Sequence, residues 1–278
     1  MLNGVILLWF ILTALSVAFV AVDIRTTPES PVLKWAFVLI TAYTGPFGAF
    51  LYVLGCREPL PGLHARYVEA RWRQVLGSTM HCVAGDGIGI LVGAVVGSAL
   101  RLTAPFHITL EYVLGFGFGW TIFQALFMRE MAGGSFSRSL RMTFIPEFLS
   151  MNALMAGMVP VMTRLMASFQ GSESPRHADF WFVMSIALFA GGIIAYPMNW
   201  WLVAGHLKHG MMTIKRRDAN HPEPSRHTTG QMPAMEHDVT TAAHAERPSQ
   251  SAVSWMAALS IALLAVGLLV SVVLRPVQ

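Results

Sequence analysis

Seven stretches of the chain are long and apolar enough to cross a bilayer, and short charged segments separate them. They are Gly4–Val22, Trp35–Gly55, Thr79–Leu100, Pro105–Met128, Pro146–Phe169, Phe180–Ala204 and Ser254–Leu274. A helix needs about 20 apolar residues to cross hydrocarbon, where every backbone polar group must be bonded internally. The pattern therefore predicts an all-α fold, a polytopic transmembrane helix bundle of about seven spans. The first stretch lacks a basic leading region and is long for a signal core, so it reads as a span. Residues 213–253 are rich in Pro, His, Ser, Thr and charge and nearly free of large apolar side chains. Such a segment buries too little surface to fold. It is expected to be a disordered linker between a six-helix body (1–212) and a last helix (254–274).

Composition supports this class: 54% of the 278 residues are hydrophobic and 12% charged. Soluble domains carry roughly a quarter charged residues. The excess of arginine is better explained by orientation than by nucleic acid, because no basic run is interleaved with aromatics. If all seven stretches cross, alternate loops hold 13 and 6 of the 19 Lys and Arg residues. The richer side should be cytoplasmic. That places the N-terminus inside and the C-terminus outside, in a bacterial inner membrane. Two cysteines, Cys56 and Cys82, make no disulfide framework.

Candidate chemistry gathers at one end of the body. The third stretch opens STMHCVAGDGIG, with Met80, His81, Cys82 and Asp86. Cys82 and Asp86 are four apart and share a helix face. An ionisable residue in a span faces the bundle interior or a water-filled cavity. Gly85, Gly89 and Gly93 repeat at the same spacing and allow a neighbouring helix close. Topology brings Gln124, Met128, Glu130 and Met131, then Glu147, Met151, Asn152 and Met155, then Met198, Asn199, His206, His209, Met211 and Met212 to the same leaflet. The fifth stretch carries Met151, Met155, Met158, Met162 and Met166 on one face. Thioethers suit Cu(I), and the same stripe suits core packing. Pro197 bends the end of the sixth stretch, and His206 and His209 follow on one face, suited to a metal or to lipid headgroups.

These residues support three readings. The first is a protein that binds or transports a soft metal ion, Cu(I) above all, at Met80, His81, Cys82 and Asp86 with His206 or His209. The methionine stripe would then pass the ion onward. The second is a membrane scaffold whose 213–253 linker tethers a soluble copper-handling or assembly partner. The third is an intramembrane enzyme using Cys82 or Asp86, although no P-loop, HExxH, GxSxG or CxxC motif is present.

The order of motifs from Thr79 to Thr213 resembles a bacterial membrane family known as domain of unknown function 4396. The matching residues are His81–Cys82, Gly85 and Gly89, then Phe180–Trp181, Pro197–Met198–Asn199 and Lys208–His209. The chain departs from the family's pattern at Asp86, where members commonly have a second cysteine, and at Ile90, where they commonly have an acidic residue. The resemblance implies a helical membrane fold and supplies no activity.

Overall fold

The computed structural model describes residues 2–60, 62–129, 134–169, 171–210 and 248–273. The expected all-α bundle is what these residues form. Among the described residues, six helices are long and apolar enough to cross a membrane. They are α1 (Leu2–Asp23), α5 (Arg71–Ala99), a helix from Ala104 to Met128, α8 (Phe136–Met166), α9 (Ala178–Ala204) and α10 (Gln250–Val273). The Ala104–Met128 helix is composite. It comprises α6 (Ala104–Phe118), a π-helical turn (Gly119–Gln124) and α7 (Ala125–Met128). Two helices begin earlier than their apolar runs: α5 at Arg71 and α8 at Phe136. Ser135 caps α8 by accepting the Arg138 N–H at 3.4 Å.

The second apolar stretch does not cross. It forms α2 (Pro31–Thr44) and α3 (Pro46–Gly55), broken at Gly45, whose φ of 60° lies in the left-handed region that glycine tolerates. Proline at the start of each helix fixes both beginnings. The two helices lie side by side, because a Cβ on Gly48 would sit 2.5 Å from Thr41 Cα. Phe37 and Tyr52 stack edge-on between them, with ring centroids 5.6 Å apart. The result is a re-entrant hairpin that leaves the bundle by the end it entered.

Polar bonds lock the base of the hairpin. Tyr52 donates to Asp23 Oδ2 at 2.7 Å, and Arg57 Nε pairs with the same oxygen at 2.9 Å. His64 Nε2 meets Glu29 Oε1 at 2.7 Å with both side chains buried. The short helix α4 (His64–Val68) positions His64. Non-helical or broken backbone at membrane depth survives where protein covers it, and α2 packs against α1, α5 and α9.

This hairpin changes the relation between the ends of the chain. Trp9 of α1 packs on Phe182 near the start of α9, whereas Phe19 lies against Tyr52 at the hairpin base. In α10, Ser260 bonds to Asn152 and Gly267 lies against Ala156, so α10 runs parallel to α8. The start of α1 and the end of α10 consequently lie at the same end of the bundle. Opposite placement of the termini followed from counting Trp35–Gly55 as a crossing, and it falls with that crossing. Residues 213–247 of the expected linker, and Leu274, lie outside the described residues.

The core is apolar, and α8 and α9 share its largest interface. Met151, Met155 and Met158 are fully buried there and Met162 nearly so. Met158 Cβ approaches Gly191 of α9, and Met151 Cε approaches Gly115 of α6.

Candidate functional site

Within this apolar bundle sits one dense polar cluster, built from α5, the π turn, α8, α9 and the segment after α9. Cys82 is its centre. The Cys82 thiol donates to Glu147 Oε2 at 3.3 Å, and Gln124 Nε2 donates to Cys82 Sγ at 2.8 Å. Lys208 Nζ donates to Cys82 Sγ and, at 2.8 Å, to Asn199 Oδ1. It lies 3.9 Å from Glu147 Oε2. Asn199 in turn donates to Ser150 Oγ and to Ala195 O, both at 3.0 Å. Cys82, Glu147, Asn199, Gln124 and Lys208 are all buried.

Lys208 arrives by a local device. After Ala204 the chain turns through Gly205 and His206, and the Leu207 and Lys208 N–H groups both donate to Leu202 O, at 3.0 and 3.1 Å. His206 takes φ of 54°, the left-handed helix-ending conformation more usual for glycine. The turn points Lys208 back into the bundle and leaves His206 and His209 exposed. Burial works against the Lys208 ammonium, but Cys82, Glu147 and Asp86 outweigh it, so its pKa lies above the ordinary lysine value. Lys208 therefore stays charged across the physiological range.

Asp86 lies one turn beyond Cys82, fully buried. A Cβ on Gly119 would overlap both Asp86 Oδ1 and Glu147 Oε1, so the two carboxyls converge on the bare Cα of that glycine. Neither Asp86 oxygen, nor Glu147 Oε1, receives an N–H or O–H from the rest of the described protein. The two carboxyls therefore crowd one point to which the described protein brings no donor. The π turn supplies the geometry: it brings Gly119 to the carboxyl pair and Gln124 to Cys82. Wide turns of this kind are frequent at functional sites.

The remaining expected ligands lie elsewhere. His81 is buried edge-on to Phe123 and tilted against Phe127, at 5.4 and 5.3 Å, with both ring nitrogens unpartnered. It occupies the next face of α5, and no bond joins it to the cluster. Met80 lines an apolar cavity of about 350 Å³ with Leu51, Trp72, Val83 and Tyr196, on the hairpin side of α5. Met151 borders the cluster from the far side, and Met155, Met158 and Met162 continue into the core. Gly85 makes room for the Phe123 ring and Gly89 for the Leu114 backbone. Pro197 sits inside α9, two residues before Asn199. Among the described residues, no group of three or more His, Cys, Asp or Glu side chains is placed to hold a metal ion. With the ammonium in place, Cys82 and Glu147 are already occupied.

Every member of the cluster lies between Arg71 and Lys208, and the comparison with known families picks out the same segment. Residues 71–208 match the model of a family described as a domain of unknown function (DUF4396). The match starts with the first residue of α5 and ends on the buried lysine. The DUF4396 segment thus leaves α1, the hairpin and α10 outside it. No curated protein and no solved structure matches the chain.

Sequence reasoning placed Cys82, Asp86, Gln124, Glu147 and Asn199 at one leaflet, and the structure brings them together. It did not count Lys208 among the site residues. The available signal was weak: a lysine seven residues after the second of two tryptophans near the end of a span looks interfacial.

Proposed function

We propose that this membrane protein binds a cation at Cys82, Glu147 and Asp86, drawn together once the Lys208 ammonium leaves, and passes it across the bilayer, with that ammonium filling the site between transport events. The observation that carries this is the coordination of Lys208 Nζ by Cys82 Sγ and Asn199 Oδ1, with Glu147 Oε2 alongside. An ammonium removed from water costs several kcal/mol unless acceptors replace its hydration. Acceptors arranged to offset that cost favour any other positive charge at the same point. Ionisable groups inside spans commonly mark ion and proton pathways.

The donor set narrows the cargo. A thiol at the centre favours a soft or borderline metal, and Cu(I) is the softest candidate. Two carboxylates and an amide oxygen shift the preference toward a borderline ion such as Zn(II). Metal enters only when Lys208 withdraws, and the turn at His206 is the segment that would move. Orientation follows from the charge at the two ends of the described bundle. Arg25, Lys34, Arg57, Arg66, Arg71, Arg73, Arg129, Arg138, Arg141 and Lys208 lie toward one end, against Arg101, Arg164 and Arg176 at the other. The richer end is cytoplasmic, which puts the site in the cytoplasmic half and both chain termini outside, in a bacterial inner membrane.

Metal content of anaerobically purified protein, after exposure to copper(I) or zinc(II), tests the reading. Stoichiometric metal in the wild type, lost in a Cys82→Ser/Glu147→Gln variant that still folds, is the expected result. Equal metal in both, or none in either, would overturn it.

The Cys82–Lys208 contact also favours a second reading, a lysine-activated thiol nucleophile. Cys82 is only 1% exposed. Rapid alkylation of Cys82 in native membranes, with no bound metal, would bring that reading forward.

A further inference from the structure

The face of α5 turned away from the polar cluster lines the apolar cavity beside Met80. Met80 and Val83 border that cavity, whereas Cys82 between them faces the cluster. Its side walls are α3 and α9. They meet where Phe47 stacks on Phe189, with ring centroids 4.5 Å apart. Beyond that stack, toward the Lys208 end, the two helices are not packed together, and α5 forms the floor between them. Leu54 of α3 and Ile193 of α9 stand at the lips, 41% and 56% exposed. The cavity is thus a groove open sideways toward lipid.

Its dimensions match one hydrocarbon chain. The floor runs from Trp72 to Val83, about 16 Å along α5. One leaflet of hydrocarbon is about 15 Å deep. The groove holds about 350 Å³, whereas a helix 10 Å across would fill roughly 1,200 Å³ over that length. A helix from a second copy of the chain therefore does not fit. Residues 213–247 bring no run of large apolar side chains to fill it. The three hydroxyls in the wall are already turned to main-chain carbonyls. Thr44 donates to Ile40 O at 2.7 Å, Thr79 to Val75 O at 2.9 Å and Tyr196 to Trp72 O at 3.2 Å. What the wall offers an occupant is apolar contact.

The mouth of the groove is cationic. Arg73 Nε donates to Leu54 O at 3.3 Å, and Nη1 donates to Tyr67 O at 3.0 Å. Its guanidinium lies over Trp72, 4.3 Å from the ring centroid. Leu54 and Trp72 both line the groove, so these contacts pin the charge at its opening. They use two of the five guanidinium N–H groups. Arg57, at the hairpin base, is matched by Asp23, but no carboxylate pairs with Arg73 among the described residues. A fixed guanidinium with donors to spare suits a phosphate.

We propose that the groove between α3 and α9 binds an anionic phospholipid, with one acyl chain along α5 and the phosphate on Arg73. The chain fills the gap between the re-entrant hairpin and the bundle, where α3 and α9 leave each other. It also backs the turn of α5 that carries His81 and Cys82. The lipid site stands independently of the cation reading.

Native mass spectrometry of the full chain in mild detergent tests this, with dioleoylphosphatidylglycerol or dioleoylphosphatidylcholine added. The wild type is expected to retain one phosphatidylglycerol per chain. It should prefer that lipid about fivefold over phosphatidylcholine, the worth of one basic side chain against an anionic lipid. Arg73→Gln should reduce the preference to less than about twofold while a chain still binds. Gly192→Leu should abolish retention of either lipid. A Cβ at Gly192 meets only Val83 Cγ2, at 3.7 Å, so the added side chain enters the groove from α9. Leu54→Trp, at the exposed lip, should act in the same direction and guards against a Gly192 variant that misfolds. Equal retention of the two lipids by the wild type, or wild-type retention in both groove variants, would overturn the proposal. An undiminished preference in Arg73→Gln would overturn the placement of the phosphate. A retained molecule without phosphorus, or a dimer that excludes lipid, would overturn the phospholipid as occupant.

Discussion

Replacing Lys208 by methionine removes a buried charge while keeping length and apolar volume. The Nζ–Glu147 Oε2 separation is 3.9 Å. At an effective dielectric near 20, two unit charges at that distance attract by about 4 kcal/mol. Removing one partner of a buried pair costs about 3–5 kcal/mol in general, so the two routes agree. Lys208→Met should therefore lose about 3–5 kcal/mol of stability, read from unfolding in mixed micelles by tryptophan fluorescence. Glu147→Gln in the same background removes the stranded charge, and the double variant should recover more than half of the loss. That recovery is the diagnostic, because a packing defect at residue 208 would not respond to a change at residue 147. A Lys208→Met variant within about 1 kcal/mol of wild type, the value of an exposed pair, would refute the reasoning. Simple additivity of the two substitutions would refute it equally.

Other consequences are read from different parts of the molecule. Gly119→Ala puts a methyl group onto both carboxyls. It should cost about 1–3 kcal/mol as an overpacked site and abolish metal uptake, checked by melting and metal analysis. His206→Gly relieves a left-handed histidine and should gain about 1 kcal/mol in the same micelle assay. It should leave metal content unchanged, whereas a ligating His206 would take the metal with it. Epitope tags at the two termini should be reached by impermeant protease from the same side of the membrane. Tags reached from opposite sides would remove the hairpin from the topology.

The sequence carried the bundle clearly and one element of it poorly. Trp35–Gly55 has the composition of a span, and composition is indifferent to whether an apolar run crosses or turns back. The sign of the turn was present in Gly45–Pro46, a pair that punctuates helices. What decides the direction is long-range: Tyr52 reaching Asp23 and Glu29 reaching His64. The convergence of Cys82, Asp86, Gln124, Glu147 and Asn199 was legible, because helix direction alone fixes which ends meet. Lys208 was not legible, because its orientation depends on one positive φ at His206. The methionine stripe was found by periodicity, which detects a shared face without saying what lies opposite. Here α6, α9 and the core lie opposite.

The π turn at Gly119–Gln124 also inverts the usual rule for insertions and deletions. A π turn is an α-helix carrying one residue too many, so deleting a residue there would regularise the helix locally. The same deletion would rotate everything after it by about 100° relative to everything before it. Gln124 would swing away from Cys82, or Gly119 from the two carboxyls. The most regular version of this helix is therefore the one that cannot assemble the site, and a shortened chain should be well folded and inert.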